Sequence, residues 1–558
     1  MNNIYLDLMA KTLSAYTDEH IIHYFGEVKK NGLTEHGFPR LTSNIGILIA
    51  NGKRQELLPL FCEMMEFCCK SIPTVKAAND FSVREIICCI GELEKSGNVS
   101  AELIMRWKSY LKEIDPEKCY NVYAKAPTDP VRNWALYTAV SEYFRQQTGL
   151  CNSSKFIDIQ IASQLQWLDE NGMYMDNSES AVHQPITYDI VPRVLFSLLL
   201  YAGYRGSYYK KIDDCLKKSG LFTLNMQSAS GELAFGGRSN QFLHNEALLA
   251  AILEYEAARY NKTGDFALAG KFKAAAVHAL ASVEHWLSKT PVSHIKNRFS
   301  VGSNYGCEDY AYFDKYMITV ASFLYIASLF CDNSAVPSKL DESPEIWCSS
   351  KHFHKIFARA GGYSLEFDTD SDPHYDASGL GRIHKKNAPS AICLSVPCPA
   401  QPKYFVDLQE PEALSLCPGI RQNGIWRFAT DYGCVYDTAS LSKNNSSAAI
   451  ELCCKFSNNE TVFTSYKVDK NGVFIEISRK GELAHMLPAF YFDGQAYTDI
   501  TFDKKHLSVI YDGWECRYTT NGKLTYSGKL AANRNGHYKV FWAAARDSLW
   551  VKIKIARV

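Results

Sequence analysis

The chain has 558 residues, enough for several domains and a large buried core. Its 60 Lys plus Arg balance 60 Asp plus Glu, so no global field recruits nucleic acid or an anionic membrane, and any anionic ligand must be met by a local cluster. With 46% hydrophobic and 22% charged residues the composition excludes a disordered or collagen-like protein.

Up to about residue 331 the pattern is helical. The segments 56–70, 83–93, 101–114, 134–147, 156–168, 191–202, 242–260, 267–288 and 310–330 carry apolar residues at three- and four-residue spacing. Short Gly, Asn, Asp and Pro punctuators separate them. Ten to twelve helices in hairpins about 50 residues apart predict helical pairs packed side by side in a ring or arc.

The segment 331–344 is rich in turn formers, and the period changes after it. Tyr363, Leu365 and Phe367 alternate with polar neighbours, as do Leu549, Val551, Ile553 and Ile555. Turn signals at 469–472, 512–513 and 521–522 complete the pattern of an antiparallel sandwich. The predicted architecture is α+β and multidomain, with a helical domain over 1–335 and a β domain over 346–558.

Eighteen cysteines occur as adjacent pairs, such as Cys68-Cys69 and Cys453-Cys454, or singly in apolar runs, without any C-x-x-C. Buried thiols in a reducing compartment are expected. The first ten residues lack the features of a secretory signal, so a cytoplasmic location is expected. The apolar run 194–201 is too short to span a bilayer, and no membrane partner is expected. Self-association into a homo-oligomer is left open.

Three polar constellations stand out. In the first, Gly236-Gly237 allows a tight bend, and Arg238, Asn240, Gln241, His244, Asn245 and Glu246 gather near a helix start, where backbone amides favour an anion. Asn240 and His244, four apart, are expected on one face of the first turn. The second joins His294, Lys296 and Arg298 to Asn304, Tyr305, Tyr310, Tyr312, Lys315 and Tyr316, more like a polar cleft than a core. The third, His374 and Asp376 with His384, offers nitrogen and oxygen ligands acceptable to zinc, but no fourth ligand.

The order of helical toroid then sandwich, with Asn133-Trp134 opening a helix, Tyr188-Asp-Ile-Val-Pro-Arg193, the run 235–246 and the run 305–316, resembles the heparinase II/III-like and oligoalginate-lyase-like polysaccharide lyases. That resemblance implies an N-terminal (α/α) toroid of helical hairpins followed by a C-terminal antiparallel β-sandwich. It also implies β-elimination across the 4-linkage of a uronic acid in an acidic oligosaccharide or polysaccharide, with no cofactor required. On this reading Asn240 and Arg238 neutralise the uronate carboxylate, His244 takes the C5 proton, and Tyr305 or Tyr310 serves as acid or as combined acid and base. Gln241, Asn245, Glu246, His294, Lys296, Asn304, Tyr312, Lys315, Tyr188 and Arg193 would line the substrate. The family's adjacent Asn-His pair appears here reversed, as His244-Asn245, so either Asn240 or Asn245 is its equivalent. Relatives that bind zinc in the sandwich leave a structural zinc at His374 and Asp376 open, and the absent signal suits imported oligosaccharides.

The chemistry explains the residue types. The C5 proton is weakly acidic until the adjacent carboxylate is neutralised, so donors must face the developing enolate charge while a base reaches C5 and an acid reaches O4. A glycoside hydrolase on the same toroid would instead need two carboxyl groups flanking the bond, from among Glu246, Asp309, Asp314 and Asp189. A non-catalytic carbohydrate-binding protein is the alternative of a different class.

Overall fold

The computed structural model describes residues 3–430 and 434–558. Fourteen α-helices among them precede fifteen strands, the last helix ending at Phe330 and the first strand starting at Glu345. Six helices, Gly37–Ala50, Asn79–Ser96, Trp134–Gln147, Ile186–Tyr201, His244–Thr263 and Phe313–Phe330, each pack on the next, and the last packs on the first. They form a closed inner ring. Ile4–Leu13, Leu58–Ser71, Ser154–Leu165, Tyr209–Met226 and Phe266–Leu287 pack against members of that ring, completing a toroid of helical hairpins.

His244–Thr263 and Phe313–Phe330 show little amphipathic stripe because most of each is enclosed. In Gly37–Ala50 every residue but Ala50 is buried, and Gly46 permits this, since a Cβ there would lie 2.5 Å from the Phe61 ring. That helix was absent from the sequence expectation, as were Ile4–Leu13, Asp18–Asn31 and Tyr209–Met226. Phe266–Leu287 and Phe313–Phe330 are each long and apolar enough to cross a membrane, which the run 194–201 is not. In the fold most of each is buried among neighbouring helices.

The strands form two sheets. Glu345–Cys348, Lys355–Ala360, Tyr363–Asp368 and Gly379–Lys385 lie in sequence order in a four-stranded antiparallel sheet, and the rest make an eleven-stranded sheet. The small sheet packs on the strands Ser447–Lys455 and Thr461–Asp469 of the large one. Strand alternation divides its side chains: Ile356, Ala358, Leu365 and Phe367 enter the sandwich core with Ile450, Val462 and Tyr466, whereas Phe357 joins the helical core. Truncating Phe357 to Ala would cost roughly 3–5 kcal/mol, as for other buried aromatic rings, and would loosen the joint between the domains.

Candidate active site

The six inner helices all present their N-terminal ends to one cavity of about 300 Å³. His36 and Arg40 come from the start of Gly37–Ala50, Phe81 from Asn79–Ser96, and Asn133, Trp134 and Tyr137 from Trp134–Gln147. Thr187 and Tyr188 open Ile186–Tyr201, His244 opens its own helix, and Lys315, Tyr316 and Thr319 lie in the first turns of Phe313–Phe330. Each helix start carries roughly half a positive charge, so the ring alone makes the cavity favourable to an anion. Arg40, Arg238 and Lys315 add full charges, and no Asp or Glu is among the described residues lining it.

Arg238 and Asn133 are held by one buried carboxylate. Asp176 pairs with the Arg238 guanidinium and accepts from Asn133 Nδ2 at 2.5 Å. The guanidinium lies over the Tyr188 ring, 4.5 Å from its centroid, and its side chain stays 40% exposed to the cavity. The shared acid fixes both donors side by side with their remaining hydrogens free for a ligand.

Beside them the Ser239 hydroxyl bridges two phenols, Tyr188 at 3.1 Å and Tyr310 at 3.0 Å. Ser239 sits in the left-handed region at φ 56°, a conformation costing an L-residue roughly 1–2 kcal/mol, so its surroundings must hold it. Its N–H donates to Glu308 Oε1 at 2.6 Å, and its carbonyl accepts from Thr187 Oγ1 and Asn245 Nδ2. Arg534, at the tip of the hairpin between strands Lys523–Asn533 and Gly536–Arg557, clamps Glu308 with two bonds of 2.6 and 2.8 Å. The sandwich thus reaches through Glu308 to the cavity wall.

The segment leading to Arg238 is anchored on the small sheet. Glu366 accepts the Phe235 N–H, Arg382 donates to Leu233 O, and Asp376 accepts the Gly237 N–H at 2.9 Å. Lys355 Nζ lies 3.3 Å from the Phe235 ring centroid. A Cβ on Gly237, at φ 74°, would come within 2.8 Å of Pro185, so the bend requires glycine.

Burial dominates the electrostatics of the lining. It pushes the His244 imidazole down to about 3, with Arg40 and His294 adding to the effect, so the ring is neutral. Burial, with Arg40 and Lys315, holds His36 far below its usual value. It raises the Tyr310 and Tyr316 phenols well above theirs, so both keep their protons. His244 Nδ1 is buried without a partner, and its ring meets Tyr316 edge-on at 5.4 Å.

Of the expected site residues, Arg238, His244, Tyr310, Lys315 and Tyr188 line the cavity. Others belong to the framework. Asn240 is buried, donates to Ala234 O and accepts from Gln241 Nε2. It is not one turn before His244: Ser239 and Gln241 both have positive φ, and the helix begins only at His244. Asn245 supports Ser239 from behind. Glu246 is locked with Glu232 onto buried Lys296, at 3.0 and 2.8 Å, and Arg193 is paired with fully buried Asp189. His294 bonds Ala311 O, Asn304 lies exposed in a turn, and Tyr312 is 39% exposed outside the lining.

Two expectations are corrected outright. Tyr305, expected as acid or base, is buried and stacked 3.6 Å from Phe299, away from the cavity, because the loop turns its ring toward the sandwich and His537. His374 and Asp376 do not form a zinc site: His374 Nδ1 bonds Gln401 O, Asp376 holds Gly237, and no cluster of three metal-ligating side chains exists among the described residues. His36, Arg40, Asn133 and Trp134 were missed as site residues, whereas Tyr316 lies in the lining as a member of the expected polar cleft. Only Asn133-Trp134 carried a local signal, as a helix opening.

No protein-family model and no curated protein match the chain. Among solved structures it is similar to a heparinase III, at 10% identity over 93% of this chain and 78% of that one, TM-score 0.46. It is also similar to a mutant of the heparan sulfate lyase HepC from Pedobacter heparinus, at 10% identity over 94% and 76%, TM-score 0.44. A third is a chondroitin lyase that is a baculovirus envelope protein, at 10% identity over 93% and 76%, TM-score 0.44.

Proposed function

We propose that the cavity binds a 4-linked uronic acid of an oligosaccharide and cleaves it by β-elimination. The observation that carries this reading is the lining itself: cationic side chains, helix starts, phenols and a neutral imidazole, with no carboxylate among the described residues. Hydrolysis needs two carboxyl groups about 5 to 9.5 Å apart across the bond. Asp189 and Glu246 are buried in ion pairs, Asp309 is exposed outside the lining, and Asp314 faces His20. None is placed for that role.

The uronate carboxylate sits against Arg238 and the Asn133 amide, which neutralise it and stabilise the charge that develops as C5 loses its proton. His244 accepts that proton. Its low affinity for protons rises once an anion enters the cavity, since an opposite charge favours the imidazolium. The electrons of the C5–H bond form the C4=C5 double bond as the C4–O4 bond breaks, and O4 takes a proton from Tyr310. Tyr310 regains a proton through the Ser239 and Tyr188 hydroxyls, and His244 releases its own to solvent. No water is consumed.

Incubation of the purified protein with hyaluronan, chondroitin, heparan and alginate oligosaccharides tests this. Elimination predicts rising near-ultraviolet absorbance from the conjugated product, abolished by His244→Gln. New reducing ends without absorbance would sink it.

A further inference from the structure

The cations of the cavity are not gathered at one point. Around the inner ring, the helices that carry Arg40 and Lys315 are neighbours, and they lie across from Trp134–Gln147 and Ile186–Tyr201, beside which Arg238 is held. Arg238 has Asp176 as its counter-ion. The Lys315 ammonium has no hydrogen bond or ion pair among the described residues and lies 5.7 Å from the centroid of the Tyr312 ring, although the residue is half-buried in the lining. The acid whose field reaches it, Glu35, already accepts from the Tyr24 hydroxyl and the Gly37 N–H, both at 2.8 Å.

Arg40 strengthens this positive end. It donates through Nε to Glu85 at 3.0 Å and through Nη1 to Thr319 at 2.6 Å, yet Glu85 is shared with Arg84, so two guanidiniums face one carboxylate. The surplus charge lies beside Lys315 and the neutral ring of His36. A partly desolvated, unpaired ammonium is unfavourable unless an anion joins it. The helix starts at Gly37 and Phe313 point into the same corner.

We infer that Lys315 and Arg40 form a second anion subsite across the cavity from Arg238, so that the preferred substrate carries two anionic groups. This rests on the reading of the cavity as a uronate site. The first anion is the uronate carboxylate at Arg238, and the second is a sulfate ester or the carboxylate of the adjoining uronate. Both present oxygens that an ammonium and a guanidinium can share.

Calorimetric titration of the full chain with three uronate disaccharides tests the inference: one carrying a single carboxylate, one with two linked uronates, and one with a sulfate ester. At least one dianion is expected to bind about tenfold tighter than the monoanion or better, and which one does so identifies the second group. Lys315→Met should collapse that ratio toward one, whereas Lys315→Arg should keep most of it. Equal affinities for all three in the natural protein, or a ratio that survives Lys315→Met with melting behaviour unchanged, would overturn the subsite. Inorganic sulfate, titrated at constant ionic strength, separates the two readings. Sulfate binding lost in Lys315→Met while no disaccharide binds would keep the subsite and reject the uronate site. Sulfate binding indifferent to Lys315 would count against the subsite.

Discussion

Arg534 and Glu308, 226 residues apart, form a buried bidentate ion pair that fixes the Ser239 amide and through it the two phenols of the cavity. The sandwich is therefore part of the site, although none of its described residues lines the cavity. Arg534→Met should leave Glu308 as an uncompensated buried charge and cost about 3–5 kcal/mol in denaturant unfolding. Adding Glu308→Gln should recover part of that loss. Equal stability of the single and double variants would show that the pair is not what holds this joint.

Ser239 combines a strained backbone with a bridging hydroxyl, and two substitutions separate these roles. Ser239→Ala keeps the left-handed strain, whereas Ser239→Gly removes it, offset by glycine's entropy cost of about 0.5–1 kcal/mol. Melting curves should show the glycine variant at least as stable as the alanine variant. Both should lose turnover, since neither links Tyr188 to Tyr310.

Tyr310→Phe removes the proton donor without altering the charges that bind the substrate. It should lower kcat by about 100- to 10,000-fold, the usual contribution of a positioned acid, with a small change in KM. A large rise in KM with kcat preserved would make Tyr310 a binding group instead.

Asp376 gives a pH signature of the segment that carries Arg238. Burial pushes its carboxyl up to about 7, against about 4 in an unfolded chain. Between these values the folded protein binds the extra proton, so this group's contribution to stability falls as pH rises from 4 to 7 and stays low above. Asp376→Asn keeps an acceptor for the Gly237 N–H and abolishes the titration. It should raise the Tm relative to the natural protein at pH 8 and much less at pH 5; the reverse order would show that the carboxylate stabilises the fold.

Long-period signals were legible in the sequence, and contacts between distant segments were not. Trp134–Gln147 follows from its spacing to the residue, and the change of period near 331 separates helices from strands. Gly37–Ala50 escaped, and with it Arg40 and His36, because its polar residues find their partners on distant segments: Arg40 on Glu85 and Thr319, Ser43 on Glu85 and Asn44 on Ser322. Asn240 was misplaced because a polar run before a helix reads as its first turn, whereas two left-handed residues keep this one a loop. Nothing in the local sequence shows that Lys296 draws Glu232 and Glu246 into the core, 64 and 50 residues away.

A cavity lined, among the described residues, without carboxylates is expected to eliminate rather than hydrolyse. That expectation is tested most directly by running the reaction on a uronate oligosaccharide in heavy-oxygen water and weighing both products. Elimination predicts that the products' masses sum to that of the substrate, with no heavy oxygen in either. One heavy oxygen per cleavage, and a sum exceeding the substrate by one water, would contradict it.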